Sequence, residues 1–300
     1  MHSLIDNDAF HQALEAPWGR TFMALMRPAV VEELVDSTEH PFSNALPGFV
    51  RTHWKTIMDK TLVDPFRMGW LIDELMRVKD LPGNIVECGS FKGGTGILMG
   101  LALKDQGIDK HIHLFDSFEG LPEPDAVYDK GYKKGIFKSD YDALMHAIEA
   151  QGLQETITVH RGWFKDTVAP FLAADSNDIA LLHIDCDLYN STNDCFPQLY
   201  PRVCAGGGVV LDDFNDGGRG EKIAILEYFE GCSPLVHIGP APQATFIKGE
   251  PVAAHQATVE DAGFAYGFKR LLDDTHYLAW LDEMTQTHYA DELATFFPRS

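Results

Sequence analysis

Residues 181–192, LLHIDCDLYNST, and residues 206–214, GGGVVLDDF, decide the fold. Each carries an apolar run, 179–184 and 208–211, that ends on acid: Asp185 after the first, Asp212 and Asp213 after the second. Short continuous apolar runs read as strands buried on both faces, the habit of a parallel sheet covered by helices. In open α/β sheets the active site forms at the carboxyl ends of such strands. With the two strands as neighbours, three carboxylates converge, and like charges so placed repel unless a cation lies between them. An all-oxygen donor set suits a hard ion such as Mg²⁺. One aspartate at a strand exit is more simply a turn former or helix cap. The adjacent pair weakens that reading.

The flanking chain alternates in the same way, which predicts an α/β fold. Strands are expected at 84–88, 111–116, 156–160, 179–185 and 208–212. Asp64-Pro65 reads as an N-cap followed by proline in the first turn of a helix. A second helix opens at Gly94-Thr95 and runs to Gly107, and Ser139 with Asp142 reads as a capping box for a third. Ser191 with Asp194 repeats that capping pattern, and a further helix spans 221–230. Apolar runs at 235–238 and 244–247 flank Gly-Pro-Ala-Pro and predict an antiparallel hairpin at one sheet edge. The sheet is thus mostly parallel and seven-stranded. Three parts follow: a helical N-terminal extension (1–63), the α/β domain (64–250) and a helical C-terminal extension (251–300). The last carries helical spacing at Leu271, Leu278 and Leu281 and has three readings: a lid, a surface for a second copy in a homo-oligomer, or ordinary packing.

Three hundred residues with 45% apolar content suffice for one large core. No stretch has the length of a membrane span, and residues 1–20 lack the basic start and apolar centre of a signal peptide. Five scattered cysteines without a C-x-x-C pair fit reduced thiols, so a cytoplasmic protein without a membrane partner is expected. A formal charge of −21 argues against nucleic acid as a partner, since phosphate contact needs clustered Lys and Arg. The one local cluster is Lys130, Lys133, Lys134 and Lys138.

Residues 87–95, ECGSFKGGT, form a glycine-rich turn between a strand and a helix. Gly89 lets the chain turn off the strand, and Gly93 and Gly94 leave backbone open at the helix N-terminus. Neither G-x-G-x-x-G nor a P-loop is present. The spacing suits a ligand with an amino-acid portion and no pyrophosphate, such as S-adenosylmethionine. Asp116, at the end of the second strand, is placed to accept from ribose hydroxyls, with Ser117 beside it. Its plainer reading is a turn residue.

Together the segments ECGSFKGGT, HLFDSFEGLP, RGWFKDT, HIDCDLYNST, LYPRVCAGGGVVLDDF and RGEKIAILEYF, in that order, resemble the macrocin O-methyltransferase family. The resemblance spans roughly residues 65–250. It implies a Rossmann-like class I methyltransferase that moves a methyl group from S-adenosylmethionine to a hydroxyl, typically on a sugar of a natural product. It further implies Mg²⁺ held by Asp185, Asp212 and Asp213, with Asp185 also the general base. The donor would lie against Glu87, Gly89, Ser90, Gly93, Gly94, Thr95, Asp116, Ser117, Trp163 and Asp185. Cys186, Asn190 and Phe214 depart from the family's commoner glycine, acid and tyrosine, and none removes a ligand.

His183 shares a strand face with Asp185 and reads as a packed histidine, with a role as base the alternative, as for His160. Asp187 reads as ligand support or a cap. Trp163 and Phe164 divide between adenine wall and core, Tyr189 between substrate and core. The loop 120–138 is long enough to be a lid over the cofactor. The expected partner is a small hydroxylated acceptor. Rival functions are a metal-independent methyltransferase for an N- or C-acceptor, a nicotinamide oxidoreductase, and a non-catalytic cofactor-binding scaffold.

Overall fold

A computed structural model describes residues 48–129, 132–214, 220–238 and 243–254. The C-terminal helical spacing and most of the N-terminal extension lie outside the described residues.

The elements run α1 (Gly48–Ile57), α2 (Pro65–Arg77), β1 (Asn84–Cys88), α3 (Gly94–Gln106), β2 (Ile112–Asp116), α4 (Tyr141–Ala150) and β3 (Ile157–Arg161). Then come α5 (Phe164–Ala174), β4 (Ile179–Ile184), α6 (Tyr189–Leu199), β5 (Val203–Leu211) and α7 (Gly220–Tyr228). The chain continues through β6 (Cys232–Ser233), β7 (Val236–Ile238), β8 (Ala244–Ile247) and β9 (Ala253–Ala254). Seven strands form one sheet in the order β3-β2-β1-β4-β5-β8-β7. The first five are parallel, and β8 and β7 add antiparallel at one edge. The strand order reverses between β1 and β4, the place where such sheets open a crevice at their carboxyl ends.

Alternation along the strands divides the core into two layers. Ile85, Leu114, Leu181 and Val210 face α1–α4, packing with Trp54, Leu71, Leu98 and Ile148. Val86, Phe115, Leu182 and Val209 face the other way, toward Phe171, Phe196 and Ile225. The residues of β4 are all buried, on one face or the other, and those of β1 and β2 nearly all, which is why these runs read as apolar. α1, inside the expected N-terminal extension, supplies Val50, Trp54 and Ile57 to the first layer.

The local signals held unevenly. Asp64 caps α2 as expected, accepting from Phe66 N and Arg67 N. α3 begins after Gly93 and ends at Gly107, both left-handed. The third helix is capped by Asp140, which accepts from Asp142 N and Ala143 N, and not by Ser139. The Ser191 cap is likewise corrected: Ser191 lies inside α6, whose N-cap position is Leu188. There Asp129 supplies the missing acceptor from a distant loop, 2.9 Å from Tyr189 N. β5 starts at Val203, ahead of the glycine run, and a Cβ on Gly208 would meet Arg77 and Leu181.

Candidate active site

Gly89 is where the site begins. It leaves β1 at φ +95°, and a Cβ there would lie 1.7 Å from the Asp185 carbonyl oxygen. The exits of β1 and β4 therefore touch, and Asp185 N donates to Cys88 O at 2.9 Å. One strand further, Asp212 N donates to Ile184 O at 2.9 Å, so Asp185 and Asp212 leave adjacent strands side by side.

A cavity of about 400 Å³ opens above these exits. Gly89, Ser90, Thr95, Asp116, Ser117, Trp163, Asp185, Asp212 and Asp213 all line it. Glu87, Gly93 and Gly94 do not. Glu87 lies beneath the floor, fully buried, with Oε1 2.9 Å from His183 Nδ1. A Cβ on Gly93 would meet Leu144, and one on Gly94 would meet Thr61 and Lys60. The Gly94 N–H already donates to Lys60 O at 3.0 Å. Close helix packing thus accounts for these two glycines.

Asp116 binds the turn above it: Oδ2 accepts from Phe91 N at 2.7 Å and Oδ1 from Phe118 N at 2.6 Å. Burial raises its pKa to about 6 in spite of those two bonds. Each oxygen keeps a second lone pair for a ligand hydroxyl. Ser90 Oγ is buried at the cavity without a hydrogen-bond partner among the described residues. Trp163 stands at the start of α5 and also lines the cavity, as does Phe164.

Among the described residues, the side chains that converge on one point are His183, Asp185 and Asp212, with one potential ligand atom from each within 4.8 Å of the others. Asp213 lines the same cavity but stands outside that group. Both aspartates lie just beyond the end of β5, and the charge of Asp213 still acts on Asp185 and Arg67. Asp212 Oδ1 accepts from Gln243 Nε2 at 2.9 Å, and His183 Nε2 lies 3.7 Å from the same oxygen. Oδ2 pairs with Arg67 Nη1. Burial alone would raise Asp212, but Arg67 and His183 outweigh it and hold the carboxyl below its usual range. Asp185 goes the opposite way, raised well above it by burial and then by the Asp212 charge. Burial disfavours a charged His183, yet Asp212 and Glu87 lift it to about 10.

The sequence reading missed Arg67 and Gln243 and underrated His183. Glu221 is a further buried carboxyl near the cluster, with neither oxygen partnered among the described residues and its pKa raised well above normal by burial and Asp213. His160 contacts His113 at 3.1 Å and is not part of the cavity. The 120–138 loop is fastened by Leu121 N to Ile136 O and Gly135 N to Leu121 O, at 2.8 and 2.9 Å. Tyr132 Oη donates to Asp187 Oδ1 at 2.7 Å, and Asp187 itself sits at φ +60°.

The family model described as Macrocin-O-methyltransferase (TylF) matches residues 54–229. A tetracenomycin-type 4'-O-methyltransferase of Streptomyces olivaceus, acting by its name on a dimethoxyrhamnosyl compound, is 32% identical over 150 residues. That stretch is 47% of this chain and 56% of the relative. Demethyldecarbamoylnovobiocin O-methyltransferase of Streptomyces niveus is 33% identical over 147 residues, 45% of this chain and 54% of that one. The chain therefore spans about half the length of these relatives. The structure of the O-methyltransferase NovP superposes with a TM-score of 0.55 at 26% identity, covering 63% of this chain and 82% of that chain. Calicheamicin methyltransferase CalS11, at 22% identity and a TM-score of 0.57, covers 75% of this chain and 92% of that chain and shares the fold. With its strand order, its acidic strand exits and a family match over more than half its length, the chain belongs to the macrocin-O-methyltransferase (TylF) family.

Proposed function

We propose that this protein is an S-adenosylmethionine-dependent, Mg²⁺-dependent O-methyltransferase that methylates a hydroxyl, on a sugar or vicinal diol, of a small natural product. The observation that carries this reading is the convergence of Asp185 and Asp212 at the floor of a cavity framed by Gly89, Ser90 and Asp116. Family membership supports it, and so do the O-methyltransferase names of the two relatives.

The residues present fit both groups. Ser90 Oγ is a buried orphan facing the cavity, and Asp116 offers spare lone pairs where a ribose would lie. The carboxylates of Asp185 and Asp212, with Asp213 beside them, form an oxygen-rich set suited to a hard divalent cation. Bound, that cation would supply Lewis acidity and hold two neighbouring acceptor oxygens.

Methyl transfer is an in-line displacement, so orientation supplies much of the acceleration. The walls from Trp163 to Asp213 fix the approach and exclude water. Asp185 is placed to take the hydroxyl proton. In the metal-free chain burial and the Asp212 charge hold its carboxyl above the usual range; beside a bound cation the carboxyl would be lower and the acceptor hydroxyl more acidic instead. His183 is the poorer base, since its carboxylate partners keep it protonated.

The test is a screen for products heavier by one CH₂ across glycosides and other hydroxylated acceptors, with and without EDTA. Turnover is expected with Mg²⁺ and lost in chelator. Asp212→Asn should lower turnover by at least about a hundredfold while donor affinity stays near wild type. One observation favours metal-free transfer as a second reading: Arg67 already offers Asp212 a positive charge. Full turnover in EDTA would select it.

A further inference from the structure

Arg67 occupies an unusual position for a helix-surface cation. It lies in the first turn of α2, outside the sheet, yet its side chain is only 14% exposed and reaches the end of β5. Its guanidinium is divided between two carboxylates. Nε donates to Asp64 Oδ2 at 2.7 Å, and Nη1 pairs with Asp212 Oδ2. Asp64 is fixed in turn as the cap of α2, its Oδ1 accepting from Phe66 N at 2.9 Å and Arg67 N at 3.2 Å. Asp212 is 3% exposed, and Gln243 Nε2 takes its other oxygen. Both oxygens of Asp212 are thus engaged by the protein, one by a full positive charge. A cation bound between Asp185 and Asp212 must share this carboxylate with Arg67, and two positive charges so close repel strongly in a site shielded from water.

We propose that Arg67 is a built-in competitor at the cation site: tethered by Asp64, its guanidinium holds Asp212 in place before a divalent cation arrives and weakens the binding of that cation. The inference rests on the cation reading above. It makes Arg67 a positioning residue that sets metal affinity and not merely a strut between α2 and β5.

Two substitutions push in opposite directions. Arg67→Met keeps the length and apolar stem but removes the competing charge, so cation affinity should rise by about tenfold. Asp64→Asn keeps a good helix cap while removing the charge that shares Arg67. The guanidinium then turns wholly to Asp212, and cation affinity should fall several-fold. Arg67→Lys retains the charge and should stay near wild type. The probe is Mn²⁺, titrated into the full chain without donor or acceptor and followed by electron paramagnetic resonance of the free ion. A strut would behave otherwise: loosening either end would disorder Asp212, and both variants would bind more weakly.

Opposed shifts establish the competitor. Parallel shifts, or an Arg67→Met protein that binds Mn²⁺ no better than wild type, overturn it while leaving the cation site standing. Should Arg67→Met fail to fold, Arg67→Gln removes the same charge and takes its place, and unchanged or weaker Mn²⁺ binding there overturns the proposal. Wild-type protein that takes up no Mn²⁺ overturns the cation reading itself and this inference with it.

Discussion

Asp212 meets Arg67, Gln243 and His183 at once, and these partners explain what a sequence can and cannot disclose. Asp185, Asp212 and Asp213 were legible because each closes an apolar run, and a strand end has a known role in this class of fold. Arg67 and Gln243 were not, because they reach Asp212 from segments far away in the chain, and spacing carries no trace of a contact made only in three dimensions. His183 was legible as a strand residue on the face of Asp185, but not as a charged one, because its charge depends on Asp212 and Glu87, which leave neighbouring strands. Gly89 is the most restrictive position. A side chain there meets the Asp185 carbonyl at 1.7 Å and must also adopt φ +95°. Gly89→Ala is therefore expected to destabilise the fold by about 3 kcal/mol or more, read as a lower urea midpoint. A midpoint equal to wild type would mean that β1 and β4 separate more easily than their contact implies. Gly107→Ala is the control. It shares a positive φ but has nothing within 4 Å of a built Cβ, so its loss should be smaller.

At the scale of elements, strands were easier to read than the helix starts between them. Burial on both faces writes itself into nearly every residue of β1, β2 and β4, whereas a cap is a single oxygen that a neighbour can replace. Asp140 displaced Ser139 because a carboxylate one residue later reaches the free N–H groups of Asp142 and Ala143 in the first turn of α4. Asp129, from a loop, caps α6 where local residues suggested Ser191. The layer of β2, β3 and α5 carries a consequence for pH. His113 lies 3.1 Å from His160, 3.3 Å from Asp175 and 3.5 Å from Asn84, with its ring against His111 and Phe171. Burial, reinforced by His111 and His160 and opposed by Asp175, lowers its pKa from 6.5 to about 4. The folded state thus refuses a proton that the unfolded chain accepts. Stability should be full above pH 6.5 and decline as pH falls toward about 4, because between those values only the unfolded state gains the proton. His113→Gln removes one titrating group, and its urea midpoint should change less between pH 7 and pH 5 than that of the wild type. An equal or steeper decline would place the acid sensitivity elsewhere.

For the molecule as a whole, the cavity is where otherwise separate parts of the chain meet. Its lining comes from residues 61–63 ahead of α2, from the exits of β1, β2, β4 and β5, and from the start of α5. These segments belong to both core layers, one on each face of the sheet. No such surface exists in the unfolded chain, so a ligand filling it binds only the folded state and stabilises it by mass action. At a donor concentration about a hundred times its dissociation constant, S-adenosylmethionine should add about 2.7 kcal/mol. For a chain of this size that raises the thermal midpoint by roughly 4 °C. The choice of donor is tested at the same time. The glycine turn ECGSFKGGT lacks the dinucleotide spacing, so NADH at matched concentration should leave the midpoint unmoved. A shift with NADH and none with S-adenosylmethionine would move the protein to the nicotinamide reading despite its family. Mg²⁺ extends the same experiment to the acidic floor. If Asp185 and Asp212 hold the ion, adding it should raise the wild-type midpoint further, and Asp212→Asn should keep the donor's contribution while losing that of the metal. The two contributions separate because Ser90 and Asp116 stand over β1 and β2, whereas the carboxylates stand over β4 and β5.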